Sequence, residues 1–209
     1  MPTEAETAEA LLALGAATLG ESGASAMRDR VRPVWPGARL AAPAYPVRCS
    51  TGDNLAVHVA VARAPEGSAL VVDVGELREL DYWGEVLTTA AQSRGLSGLV
   101  IDGGVRDAAA LQAHAFPVFS TTIALRGATK DRPGAIGTPV RVGDVTVEPG
   151  DWIVGDGDGV VVVPGASLDT VLVAARVRAD KEDGFFQRLN DGATTLELLG
   201  LDAGLVDGS

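Results

Sequence analysis

Apolar and polar positions fall into two regimes along the chain: helical periodicity alternating with short continuous apolar runs up to about residue 137, and Val-rich runs divided by Gly-Asp pairs from Thr138 onward. In residues 5–18, Leu11, Leu12, Leu14 and several alanines recur at helical spacing and Gly20 ends the run, which predicts an N-terminal helix. Ser22 to Pro46 sets Pro33, Pro36, Pro43 and Pro46 among short apolar stretches, a pattern of turns and edge strands because proline has no N–H for a ladder. Residues 55–64 suit a helix or an alternating strand. Residues 69–74 (ALVVDV) predict a buried strand, followed by a loop (GELRELDYWGE), a helix over 86–93 and a second buried strand over 99–102. Two apolar strands joined by a helix lie parallel, with a right-handed crossover. Ligands in such sheets gather at the carboxyl ends of the strands, so the loop before the helix and the Gly103–Asp107 stretch open on one edge.

A helix over 108–114, a short strand over 116–120 (FPVFS), a β-rich stretch and a charged amphipathic helix over 169–189 follow, with a last helical piece over 194–201. No internal repeat or long linker interrupts the order. The expectation is an α/β protein with one domain over residues 1–209, a length that a single hydrophobic core can serve.

Composition narrows the partners. With an aromatic share of 4%, the core has to be built from Val, Leu, Ile and Ala. No apolar run approaches the roughly 20 residues that span a bilayer. The first nine residues carry Glu4, Glu6 and Glu9 and no Lys or Arg, unlike a secretory leader, so the cytoplasm is the expected compartment. The lone Cys49 forms neither an intramolecular disulfide nor a thiolate metal cluster, and reads as a half-buried small hydrophobe. A net charge of -11 without any cluster of Lys and Arg argues against nucleic-acid binding and leaves small molecules, metals or proteins.

Candidate chemistry centres on Gly103-Gly104-Val105-Arg106-Asp107, where two glycines allow a tight turn after a buried strand and leave an Arg-Asp pair at its mouth. A guanidinium suits a carboxylate or enolate oxygen, and a carboxylate is a hard ligand for Mg²⁺ or Mn²⁺. A surface ion pair, or capping of the next helix by Asp107, explains the same residues. Gly84-Glu85-Val86-Leu87 opens the preceding helix, whose free N–H groups form an anion site, although Glu85 there also simply favours the helix dipole. The run Gly155-Asp156-Gly157-Asp158-Gly159 precedes a strand and reads as a turn. His58 and His114 lack metal-ligand spacing and read as structural, and no G-x-S-x-G elbow is present.

The segments WGEVLTTAAQSRGLSGLVIDGGVRD, FPVFS and GDVTVEPGDWIVGDGDGVVVVP, in this order, resemble the family that joins RraA-like proteins to 4-hydroxy-4-methyl-2-oxoglutarate aldolases. The resemblance runs from about Ala10 to Leu201 and implies a compact α/β/β/α sandwich related to swivelling phosphohistidine domains, assembled as a homotrimer or homohexamer. Aldolase members carry an acidic residue, twenty intervening positions and then Arg-Asp, which Glu85 and Arg106-Asp107 match. By that resemblance Asp107 holds Mg²⁺ or Mn²⁺ largely through waters, and Arg106 binds an oxo-acid and stabilises enolate charge. Backbone amides from Gly84 through Val86 to Leu87 hold the pyruvyl carboxylate, and Glu182 reaches the site from a neighbouring subunit. The implied activity is retro-aldol cleavage of a 4-hydroxy-2-oxo acid or decarboxylation of oxaloacetate. The alternative is a non-catalytic regulator that binds a protein partner. The best-known aldolases have Asp where Glu85 stands, a departure of one methylene.

Overall fold

The computed structural model describes residues 2–206. Thr3 and Glu6 form a reciprocal capping box that starts α1 (Glu4–Gly20). Gly15 breaks that helix at φ 78°, ψ 164°, and the N–H of Ala16 donates instead to the Asp156 carboxylate at 2.8 Å. The chain continues through β1 (Ser25–Ala26), β2 (Arg32–Pro33), β3 (Leu40–Arg48), α2 (Leu55–Arg63), β4 (Ala69–Asp73), β5 (Asp81–Trp83), α3 (Glu85–Ser93), β6 (Gly98–Ile101), β7 (Gly104–Val105) and α4 (Ala108–Ala113). Then come β8 (Val118–Ser120), β9 (Thr122–Ile123), β10 (Ala135–Ile136), β11 (Val140–Val142), β12 (Val145–Val147), β13 (Trp152–Asp156), β14 (Gly159–Val163), α5 (Leu168–Asn190) and α6 (Thr195–Leu199). Among the described residues no helix is long and apolar enough to cross a membrane.

The main sheet runs β1-β14-β13-β3-β4-β6-β8-β2, with β10 also on β3. Strands β3, β4, β6 and β8 are mutually parallel, Ala69 facing Gly98, while β13 and β14 run antiparallel to their neighbours. Three apolar layers follow. Val57, Ala60, Leu87 and Leu111 of the helices cover Leu70, Val72, Leu99 and Ile101 on one face of the parallel strands. On the other face Val71, Val100 and Phe119 meet Val142, Ile153 and Val162, so the sheet curls over onto itself. The outer face of β13 and β14 packs on Leu11 and Leu19 of α1 and Leu172 of α5. This is the α/β/β/α order expected from the resemblance.

Proline spacing misled in one place. The stretch expected to form edge strands contains β3, which lies in the middle of the sheet between β13 and β4. Its prolines fit because β3 changes partners along its length: Pro43 is the last residue opposite β13, and the β4 ladder begins at Ala44. Pro46, beyond the end of the β13 ladder, still accepts the Gly137 N–H through its carbonyl. The stretch 55–64, open between helix and strand, is helical. Gly143 and Asp144, with φ 54° and 65°, make the two-residue turn between β11 and β12 that Gly-Asp pairs predict.

Each of the parallel strands β4, β6 and β8 runs on, after a break, into a second parallel sheet, β5-β7-β9. The break after β6 is held by Asp102, whose side chain is 5% exposed. It accepts from Arg30 Nη2 at 2.8 Å, Arg78 Nε at 2.9 Å and the Gly143 N–H at 3.2 Å. Burial alone pushes this carboxyl up, yet the Arg30 and Arg78 guanidinium groups and the Gly143 amide together hold it below the usual carboxylate range. Asp102→Ala leaves two guanidinium groups facing each other, and we expect a loss of about 3 kcal/mol, read as a lower denaturant midpoint at unchanged slope.

Candidate active site

Where the two sheets meet, the starts of α3 and α4 come together. Asp107 takes a left-handed backbone, φ 58° and ψ 36°, at the position before α4 but makes no side-chain cap there. Its Oδ2 instead accepts the Glu85 N–H at 3.0 Å, so it caps α3. The Thr88 N–H goes to the Gly84 carbonyl, which leaves the N–H groups of Val86 and Leu87 for a ligand. Gly84 is required by space, since a Cβ there would stand 2.6 Å from Asp107 Oδ2 and 3.0 Å from Arg106 Cγ. Gly103 and Gly104 also serve close packing and not the tight turn expected of them. Neither has positive φ, and a Cβ on Gly104 would come within 2.5 Å of the Leu80 carbonyl.

Arg106 leaves β7 with its N–H on the Trp83 carbonyl at 2.9 Å. Its Nη1 lies 2.5 Å from Asp81 Oδ2 and its Nε 3.3 Å from Asp107 Oδ2. The Asp81 charge, then the bond to Asp107, raise the pKa of the guanidinium, so it stays charged. Asp81 is 7% exposed and sits on β5, inside the stretch read from the sequence as a loop. Its role was missed because nothing in LDYWGE marks one acid over another.

Asp81, Arg106 and Gly84 line a cleft of about 200 Å³ together with Asn54, His58 and Lys130. Asn54 is 5% exposed; its Nδ2 donates to the Tyr82 carbonyl at 3.0 Å, while its Oδ1, like His58 Nε2, has no partner among the described residues. Buried polar atoms without partners on a cleft wall mark a place where a ligand can satisfy them. Burial, and then the nearby Lys130 charge, lower the His58 pKa, which favours the neutral ring. Lys130 is brought to the wall by its neighbours. Asp53 accepts from Thr129 Oγ1 at 2.7 Å, the Asp131 N–H at 2.7 Å and the Arg132 N–H at 3.1 Å, while its Oδ1 takes the Leu55 N–H at 2.8 Å. Arg132 turns the other way, onto the Thr51 carbonyl.

Of the residues singled out from the sequence, Gly84, Glu85, Val86, Leu87, Arg106 and Asp107 come together. Glu182 does not join them within one chain. It pairs with Arg178 on α5, which also reaches Glu21 of α1. Both histidines read as structural stand at the site instead, His58 in the cleft wall and His114 with Nε2 at 3.4 Å from Glu85 Oε1. Among the described residues no group of three or more His, Cys, Asp or Glu could hold a metal ion. The one or two hard carboxylates at the α3 start therefore fit a Mg²⁺ or Mn²⁺ ion that keeps most of its water, and not a cage of protein ligands.

Residues 10–162 match the RraA-like family, described as Aldolase/RraA. A Halalkalibacterium halodurans protein named "Putative 4-hydroxy-4-methyl-2-oxoglutarate aldolase" is 30% identical over 174 residues, 83% of each chain. An uncharacterized protein from Pseudomonas syringae pv. tomato, solved by crystallography, superposes with a TM-score of 0.82 at 26% identity over 95% of this chain and 94% of that one. The RNA-processing inhibitor RraA from Thermus thermophilis superposes with a TM-score of 0.65 at 25% identity, over 71% of this chain and 91% of its own.

Two outcomes follow from the geometry. Burial opposes ionisation of Asp53, but its four donors outweigh it and bring the pKa down to about 2 from an ordinary 3.8. A depressed folded-state value means that stability from Asp53 is full above the ordinary value and is lost as pH falls toward about 2. Acid denaturation should therefore show a stability slope that Asp53→Asn flattens, with faster amide exchange at Asp131 and Arg132 in the variant. Gly84→Ala pushes on the ends of two side chains and not on the core, so thermal midpoint should change little while any activity that needs Arg106 and Asp107 falls at least roughly tenfold.

Proposed function

The chain belongs to the RraA-like family, and on that premise we propose that it is a divalent-metal-dependent lyase that releases pyruvate from a 4-hydroxy-2-oxo acid, from oxaloacetate, or from both. The observation that carries the reading is that Arg106, braced by Asp81, lines one cleft with Val86 and Leu87, whose N–H groups are uncapped, while Asp107 bonds to Arg106 Nε and the Glu85 N–H beside it. Those N–H groups hold the carboxylate of a 2-oxo acid, at the positive end of the α3 dipole. The C2 oxygen then faces the Arg106 guanidinium. As the C3–C4 bond breaks, C4 leaves as a second carbonyl product whose hydroxyl proton passes to water, or as CO2 from oxaloacetate; the bond's electron pair moves into C2–C3 and the C2 carbonyl pair moves onto its oxygen, where Arg106 stabilises the negative charge. Protonation at C3 releases pyruvate. Asp107, and Glu85 through water, would hold Mg²⁺ or Mn²⁺, which would supply Lewis-acid polarisation of the substrate carbonyl.

Asn54 and Lys130 line the same cleft and would meet the distal, carboxylate-bearing part of the substrate. The same reading makes the active form a homotrimer or homohexamer in the cytoplasm. Val86, at 75% exposure, and Leu125, at 86%, are apolar side chains that a second copy would cover. That copy would also supply Glu182, which has no place at the site within its own chain.

The likeness to the RNA-processing inhibitor favours a second reading, a regulator that acts by binding a protein partner. A coupled assay for pyruvate separates the two, with oxaloacetate and 4-hydroxy-4-methyl-2-oxoglutarate as substrates. Release is expected with Mg²⁺ or Mn²⁺, is expected to stop with chelator, and should fall by roughly a thousandfold in Arg106→Ala. No release from either acid, with the metal present, leaves the regulator.

A further inference from the structure

Asp81 holds more than the Arg106 guanidinium. It is the first residue of β5, and both edges of that strand are in use there: β7 on one side, with Asp81 opposite Gly104, and residues 126–128 on the other. The Asp81 N–H donates to the Arg126 carbonyl at 2.8 Å, and its own carbonyl accepts the Ala128 N–H at 3.3 Å. Two residues further on is Lys130. Its backbone has little slack, because the Thr129 N–H is bound to the Gly52 carbonyl at 2.9 Å and the Asp131 N–H to Asp53 at 2.7 Å. Arg106 hangs from the same strand, by its N–H on the Trp83 carbonyl and by Nη1 on Asp81 Oδ2. Arg106 and Lys130, which both line the cleft, are therefore fixed to one residue, the first through its side chain and the second through its main chain. Without the Asp81 carboxylate the Arg106 guanidinium, on a side chain that is 45% exposed, would be left with its 3.3 Å bond to Asp107. Two cations at a fixed separation select a dianion by its length. A chain one carbon longer or shorter moves its far carboxylate by about 1 Å, enough to lose one of two charge-assisted bonds.

We propose that Asp81 is a positioning residue that fixes the separation of Arg106 and Lys130, and that through it the cleft selects 2-oxo diacids of one chain length. The C2 oxygen meets Arg106 and the far carboxylate meets Lys130. The class of acid, and which end of it lies at Arg106, rest on the lyase reading; the fixed separation does not.

Binding of acids that cannot react tests this apart from catalysis. Malate, 2-hydroxyglutarate and 2-hydroxyadipate keep an oxygen on C2, lack the ketone that cleavage requires and differ in length by one carbon each; lactate is the monoacid reference. In titration calorimetry with Mg²⁺ present, one of the three diacids should bind at least roughly tenfold more tightly than the other two. In Asp81→Ala that lead should shrink to less than about threefold, with lactate weakened less than the preferred diacid. Lys130→Met should bring all three diacids to the affinity of lactate, and adding Asp81→Ala to it should leave no length effect to lose. Asp81→Glu keeps the charge on a longer arm and should remove the lead or pass it to another diacid, which decides the matter if the alanine variant does not fold. Equal binding of the three diacids by the wild type, or an unchanged lead in a folded Asp81 variant, would overturn the proposal. Pyruvate release without a length preference leaves the lyase and removes the selection by Asp81. A length preference without pyruvate release from either acid removes the lyase reading and leaves the selection.

Discussion

The bond from the Glu85 N–H to the Asp107 carboxylate is the interaction on which the rest of the site depends. Asp107 pays for it with a left-handed backbone, which costs an L residue about 1 kcal/mol and costs Asp less than most. In return one carboxylate joins the segment after β6 to the segment after β4. Arg106 is carried beside Asp81 by the same turn, and the amides of Val86 and Leu87 stay open because Asp107 takes only the first N–H of α3. Gly84 completes the arrangement by leaving no side chain in the way.

Elsewhere the acidic character of the chain is used in the same manner. Asp53 and Asp102 are buried and each collects donors from segments far apart in sequence, and buried Asp81 holds Arg106. A carboxylate accepts several bonds at once, so one side chain can hold a loop, a strand end and a turn together. Asp53 and Asn54 show the consequence for the cleft: the first holds the loop that carries Lys130, the second holds the Tyr82 carbonyl on β5, and two segments that line the cleft are thus tied to the start of α2.

The paired strands at β4 and β6 and the opening of both loops on one edge were legible because buried runs of Val, Leu and Ile have few other uses. That topology put Glu85 and Arg106-Asp107 on one edge, while the twenty-residue spacing between them carried meaning only through the family resemblance. Asp81, Asn54, His58 and His114 were not legible. Each owes its place to packing between segments joined by no short-range pattern, and one acid or histidine in a polar stretch looks like another until its partners are known.

The sequence by itself determined the first helix, the buried strands β4 and β6 with the helix between them, that this parallel unit opens its loops on one side, and that an Arg-Asp pair stands at that opening. These follow from periodicity and chain connectivity, which act over short distances. The tertiary structure decided that β3 with its prolines is central, that Asp107 caps α3 and not α4, that Asp81 braces Arg106, and that His114 meets Glu85. Those outcomes turn on which donors and acceptors come within about 3 Å once the core has closed, and that distance is set by the packing of the whole chain.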